Sequence, residues 1–255
     1  MSPTLRNSYL PTLVLALLFS ACQNFSLLPK EQSSSSANQE TVTDGLKTTY
    51  RSNGSLYSEV MLKNGIKHGL SKSYYEDGSV QLELYYHNGK KDSISRLYYR
   101  DGSLKRTTQY KEGRKNGLRK SYFINGNPSA QMNYLDDMPA SDLVEYYKSG
   151  NPIPQPKIQV STEDFTAING LYEINIQFEG QPKNSVFYIG KLKDGKYLDE
   201  DLLERIPGNG KVASIKGSLL PGHFLMEKLH IVGEFKTKKG NTYVTTTTYN
   251  LAIGG

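Results

Sequence analysis

Few side chains in this 255-residue sequence could do chemistry. There are four histidines: His68, His87, His223 and His230. The first two flank successive turn signals and read as solvated turn residues. His223 and His230 are seven apart on an expected strand, so they face opposite sides and cannot share a metal. Asp199, Glu200, Asp201 and Glu204 could offer oxygens to calcium, but the Asp-x-Asp-x-Asp-Gly spacing is missing. No Gly-x-Ser-x-Gly, His-Glu-x-x-His or phosphate loop occurs. The expectation is a protein that is not an enzyme and holds no metal and no cofactor. What recurs instead is contact chemistry. Tyr74, Tyr98, Tyr122 and Tyr146 form one series, and Lys72, Arg96 and Lys120 stand two residues before its first three members. Tyrosines and basic side chains ranged along a face are what recognition surfaces use.

The elements that must position them follow from a period. Gly54, Gly78, Gly102, Gly126 and Gly150 are 24 residues apart, and Tyr50, Tyr74, Tyr98, Tyr122 and Tyr146 keep the same step. A period of this length marks stacked supersecondary units. Each unit carries two turn signals. The first is Asn53-Gly54, Asp77-Gly78, Asp101-Gly102, Asn125-Gly126 and Ser149-Gly150. The second is Asn64-Gly65, Asn88-Gly89 and Glu112-Gly113, decaying to Asp136-Asp137. Read as two-residue type I′ turns, they make each unit two strands of a continuous meander. After the first turn the even positions are the more apolar, as in Val80, Leu82, Leu84 and Tyr86, and are expected to face inward. Pairing across Asp77-Gly78 then puts Tyr75, Tyr99, Phe123 and Tyr147 inward. Tyr74, Tyr98, Tyr122 and Tyr146 lie outward with Lys72, Arg96 and Lys120. Strands about 4.8 Å apart make this outer ladder on the order of 40 Å long. The competing reading curls the sheet over that face and makes its tyrosines packing.

These residues resemble the MORN repeat in its bacterial variant form. The match is Tyr-Tyr-x-x-Gly followed by Asn-Gly-Lys-x-x-Gly, seen as Tyr50…Gly54 with Asn64…Gly69 and as Tyr98…Gly102 with Glu112…Gly117. It covers about 100 residues. Ser93 and Ser141 replace the second glycine, and Met138-Pro139 disturbs the last unit, which is expected to cap the array. The resemblance implies β-hairpins stacked into an elongated sheet that scaffolds protein or lipid contacts. Some bacterial members are labelled antitoxin-like, which fits poorly with the N-terminus described next.

Arg6 followed by the apolar run Leu13–Phe19 and by Ser20-Ala21 reads as a secretory signal, residues 1–21, too short for a membrane span. Phe19-Ser20-Ala21-Cys22 resembles the bacterial lipobox, which implies acylation of Cys22, with palmitate among the acyl chains. Gln23 at the next position implies, by the same resemblance, sorting to the outer membrane. Cys22 is the sole cysteine, so an internal disulfide and a thiolate zinc cluster are excluded. Residues 22–44 are rich in Ser, Gln and Asn and read as a flexible tether. The net charge of +6 resides in residues 45–150, where 17 basic residues face 11 acidic ones. That favours an anionic partner, and the lack of any nucleic-acid motif argues against nucleic acid.

Residues 151–157 form a Pro-rich linker. Beyond it the period ends, and residues 158–255 read as a small β domain with strands at 171–178, 185–192, 211–219, 224–235 and 242–251 and a short helix at 199–206. A β-sandwich is expected, possible immunoglobulin likeness resting on strand count alone. A cap continuing the repeat sheet is the alternative. The whole reads as an all-β, lipid-anchored cell-envelope protein whose repeats bind a protein, glycan or lipid partner. The alternative makes the repeats a spacer and the C-terminal domain the binding part.

Overall fold

The computed structural model describes residues 43–254. The expected secretory signal, Cys22 and nearly all of the expected tether lie outside the described residues. Eight strands follow one another as an antiparallel meander: β1 (Gly45–Tyr50), β2 (Leu56–Lys63), β3 (Ile66–Tyr74), β4 (Val80–His87), β5 (Lys90–Tyr98), β6 (Leu104–Lys111), β7 (Arg114–Tyr122) and β8 (Pro128–Leu135). Two short strands, β9 (Met138–Pro139) and β10 (Val144–Glu145), both pair with β8 and end the sheet.

The second turn of each unit is the two-residue type I′ turn its residues call for. Both central residues have positive φ: 51° and 73° at Asn64-Gly65, 47° and 80° at Asn88-Gly89, 49° and 93° at Glu112-Gly113. Asp136-Asp137 takes the same form at 48° and 71°, so the turn survives the loss of its glycine. It also fixes how units stack. The second turn residue donates its N–H to the unit before: Gly89 to Lys67 O at 2.8 Å, Gly113 to Lys91 O at 2.7 Å, Asp137 to Lys115 O at 2.9 Å.

The first turn departs from the two-residue expectation. Tyr75 N–H donates to Ser79 O and Gly78 N–H to Tyr75 O, so Glu76, Asp77 and Gly78 form a three-residue loop in which only Gly78 has positive φ, 83°. This is a type I turn with a bulged glycine. It is held by the aspartate, whose Oδ1 accepts from both the N–H and the hydroxyl of Ser79 at 2.9 and 2.5 Å. Those bonds hold the Asp77 carboxyl below the usual range. Asp101 and Ser103 repeat the arrangement. The extra loop residue does not exchange the faces, because the ladder shifts register between Ser73 and Tyr74. Ser73 stays opposite Leu82 and Lys72 opposite Glu83.

The inner face of the sheet becomes drier along the chain. Leu84 is buried in the second unit, and Ala130, Met132 and Tyr134 in the last. Those last residues, with Leu143, merge into the core of the C-terminal region, so repeats and C-terminal region share one hydrophobic core. The C-terminal region is two small sheets. One holds β11 (Ile158–Phe165), β12 (Leu171–Phe178) and β15 (Val212–Ser218). The other has the order β14 (Glu204–Ile206), β13 (Val186–Ile189), β16 (Phe224–Lys236) and β17 (Thr242–Gly254). Ile174, Ile176 and Phe178 of β12 point into the core, and the Phe178 ring lies 5.0 Å from both Phe187 and Phe235. β11, the short β14 and the four-residue helix α1 (Thr166–Asn169) are additions to the expected elements. The expected helix at 199–206 is reduced to one 3-10 turn, Glu200–Leu202, running into β14.

The junction is polar and well satisfied. Glu145 of β10 is buried, and its Oε1 accepts from Thr237 Oγ1 at 2.7 Å and from the buried Asn241 Nδ2 at 2.5 Å. Lys196 pairs with Asp142 at 3.0 Å, and Leu198 N–H bonds to Pro139 O.

Candidate binding faces of the repeat sheet

Register places the expected outer ladder on one row. Thr48, Glu59, Lys72, Glu83, Arg96, Thr107, Lys120, Gln131 and Val144 are successive cross-strand partners. Lys72, Arg96 and Lys120 are thus brought together as a row, but two glutamates are interleaved with them. Lys72 pairs with Glu83 at 3.4 Å.

The tyrosines answer to the same glutamates. Tyr74 donates its hydroxyl to Glu59 Oε2 at 2.5 Å, and Tyr98 donates to Glu83 Oε2 at 2.8 Å. Each tyrosine reaches 15 residues back, across one hairpin. Partial burial, and then the carboxylate it donates to, push the Tyr74 phenol up to about 12; the same causes raise Tyr98. The position 15 residues before Tyr122 is Thr107, and before Tyr146 it is Gln131. The ladder therefore has two halves: an N-terminal half stitched by carboxylates, and a C-terminal half, Arg96, Lys120, Tyr122 and Tyr146, with none in the row beyond Glu83. Arg96 and Lys120 make no ion pair among the described residues.

The other tyrosine of each pair serves the stacking of units. Tyr75 hydroxyl donates to Tyr98 O and Tyr99 hydroxyl to Tyr122 O, both at 2.8 Å. Arg51, one period before Tyr75, does the same with its guanidinium to Tyr74 O at 2.5 Å. Phe123 has no hydroxyl. Lys239, from the loop between β16 and β17, lies 4.6 Å above its ring and donates to Tyr146 O in its place. Tyr147, expected inward, is 52% exposed, because no further unit follows to cover it.

The inner face carries a series that sequence spacing alone does not reveal. Lys67 lies over Tyr86 at 5.1 Å, Lys91 over Tyr110 at 5.3 Å and Lys115 over Tyr134 at 4.9 Å. Each pair is 19 residues apart, and the series keeps the 24-residue step. Arg106 and Arg119 stand on the same face in the third unit, and Arg119 donates to Tyr134 Oη at 3.1 Å.

His68 and His87 do meet, with ring centroids 5.3 Å apart; His87 is exposed and His68 half-buried. Among the described residues no third ligand joins them, and no group of three or more His, Cys, Asp or Glu is placed to hold a metal. His223 is exposed on a turn and His230 is half-buried on β16. Asp199 is engaged by Lys193 at 3.2 Å.

Residues 67–90 and 91–112 match the family described as MORN repeat variant. No curated protein matches the chain.

Proposed function

We propose that this chain is a non-enzymatic binding scaffold of the cell envelope, held on a membrane by acylated Cys22, with the repeat sheet as its contact surface for a protein, glycan or lipid partner. MORN repeats in general are binding modules, and the two matched units lie in the middle of the sheet. One observation carries the reading. The outer row has its last carboxylate at Glu83, which is engaged by Lys72 and Tyr98 and lies opposite Arg96 without forming an ion pair with it, and no carboxylate of the row flanks Lys120. A row meant only to stack would extend the glutamate stitching to Thr107 and Gln131.

The spacer reading, with the C-terminal region as the binding part, is disfavoured by the shared core. The C-terminal region buries its surface against the last unit and closes the sheet there. The test has two arms. Fatty-acid labelling of the full chain and its Cys22→Ser variant should mark only the former, and label in both would reject the anchor. Cross-linking in intact envelopes should lose its partner in the double variant Arg96→Ala, Lys120→Ala while circular dichroism is unchanged. Retained cross-links would reject the face.

A further inference from the structure

Arg106 and Arg119 break the repeat. One period earlier their positions hold Leu82 and Ser95, and one period later Ala130 and Leu143. The same face otherwise carries apolar and hydroxyl side chains, with Lys67, Lys91 and Lys115 laid over tyrosine rings, which suits a surface that stacks. Two guanidinium groups entering it together is a local violation of the pattern, and such violations mark function more often than architecture.

Their geometry converges. Arg106 lies opposite Ser121, and Arg119 lies opposite Thr108, so the two arginines are diagonal neighbours on adjacent strands β6 and β7. Diagonal neighbours are about 7–8 Å apart, within reach of one shared ligand for side chains of this length. Both line a cavity of about 270 Å³ together with Lys91, Lys115, Leu82, Leu84 and Leu97. Both also line an adjoining cavity of about 170 Å³, where Lys105 and Lys239 are the further cations. No acidic side chain lines either cavity. Carboxylates enter in a neighbouring cavity of about 600 Å³, where Arg119 and Lys115 are joined by Asp136, Asp137, Asp199, Glu200, Asp201 and Glu234; Lys115 pairs with Asp137 at 3.4 Å. Neither arginine makes an ion pair among the described residues. Burial, and then the neighbouring Arg119, pull Arg106 down from the usual guanidinium range, so the pair is held against its own repulsion.

We propose that the inner face of the third unit is a binding site for a phosphate group, held between the guanidinium groups of Arg106 and Arg119 with the Lys91 ammonium beside them. A carboxylate offers two oxygens in one plane and is satisfied by a single arginine fork. Two forks from different strands plus an ammonium suit a tetrahedral dianion with several acceptor oxygens. The buried hydroxyl residues Ser95 and Thr108 also line the cavity and can add donors. The leucines accept a short apolar substituent. The cavity is smaller than the roughly 300 Å³ at which drug-sized pockets begin, so it takes the phosphate and little else. The phosphate is that of a free small molecule or of a lipid headgroup; the chemistry recognised is the same.

The test is calorimetric titration of the full chain in detergent with inorganic phosphate and with dihexanoylphosphatidate below its micelle concentration. Saturable binding is expected. Equal affinity for the two probes assigns the site to a free phosphate, and tighter binding of dihexanoylphosphatidate assigns it to a headgroup. In either case Arg106→Gln and Arg119→Gln should each weaken binding about tenfold or more, the usual loss for a charge-assisted contact. Lys211→Gln, an exposed change on the C-terminal region, should not. Binding should strengthen as pH rises through the second ionisation of each phosphate probe, where it becomes a dianion. Arg106→Gln should melt no lower than the wild type, since it removes a half-buried charge next to another. If it unfolds, Arg119→Gln carries the test. No saturable binding of either probe, or unchanged affinity in both folded variants, overturns the proposal.

Discussion

Lys239 occupies the place of a tyrosine hydroxyl, and that substitution can be reversed. In the earlier units Tyr75 and Tyr99 each cap a carbonyl of the next unit at 2.8 Å. At Phe123 the hydroxyl is missing, and Lys239 donates to Tyr146 O and to Ser129 O, the latter at 3.1 Å, while lying 4.6 Å over the phenyl ring. Two charge-assisted bonds at full strength would be worth about 3–6 kcal/mol. Lys239 is exposed, so water and lost side-chain freedom offset most of that. The exposed cation–π contact adds about 0.5–1 kcal/mol. Lys239→Met should therefore cost about 1–2 kcal/mol in urea unfolding at unchanged slope. Phe123→Tyr should do little in the wild type, where the carbonyl is already served. In the Lys239→Met background its new hydroxyl should regain about 1 kcal/mol, one neutral hydrogen bond. A double-mutant cycle reads the difference directly. If Phe123→Tyr shifts both backgrounds equally, the two groups do not share a carbonyl and the reasoning is wrong.

Other consequences are independent of that exchange. Glu145→Ala strands the Thr237 hydroxyl and the buried Asn241 amide and should cost about 2–4 kcal/mol, whereas Glu145→Gln keeps an acceptor and should cost less; equal losses on urea melts would contradict the network. Ser93 holds a φ of 61° where Gly69 and Gly117 stand in the neighbouring units, so Ser93→Gly should stabilise by about 0.5–1 kcal/mol, and a lower melting midpoint would count against strain there. The folded pKa of Tyr74 is raised, so its contribution is fully present below the free-tyrosine value of about 10 and is lost as pH climbs through about 12. Glu59→Gln should move that phenol's ultraviolet titration to lower pH, and an unmoved curve would mean Glu59 is not its partner.

The period carried most of the architecture into view. Strands such as β4 and β6 were legible because Leu82, Leu84 and Tyr86 alternate with polar residues, and the Asn-Gly turns name their own type. From sequence the first turn reads as two residues, because Asp-Gly also favours that form. The residue that decides otherwise is the one after it: Ser55, Ser79 and Ser103 are each held by the side chain of the turn residue two before. Outward placement of Tyr74 and Tyr98 is matched by their bonds to Glu59 and Glu83. Those partners are not legible in the sequence, because they sit 15 residues back on another strand and nothing local marks them. The Lys–Tyr stacks at a spacing of 19 are hidden for the same reason. In the C-terminal region β12 has alternating apolar residues and was plain, whereas β11, IQVSTEDF, buries one side only and follows a Pro-rich run that reads as linker.

The half of the outer row from Arg96 onward, which holds no carboxylate of its own, is the proposed contact surface. The most direct measurement is quantitative cross-linking mass spectrometry on intact envelopes, comparing the wild type with the charge reversal Arg96→Glu, Lys120→Glu. Cross-links from the outer face to a partner should vanish in the variant while cross-links within the chain, such as Lys196 to Lys193, persist. An unchanged set of partner cross-links would contradict the proposed contact surface.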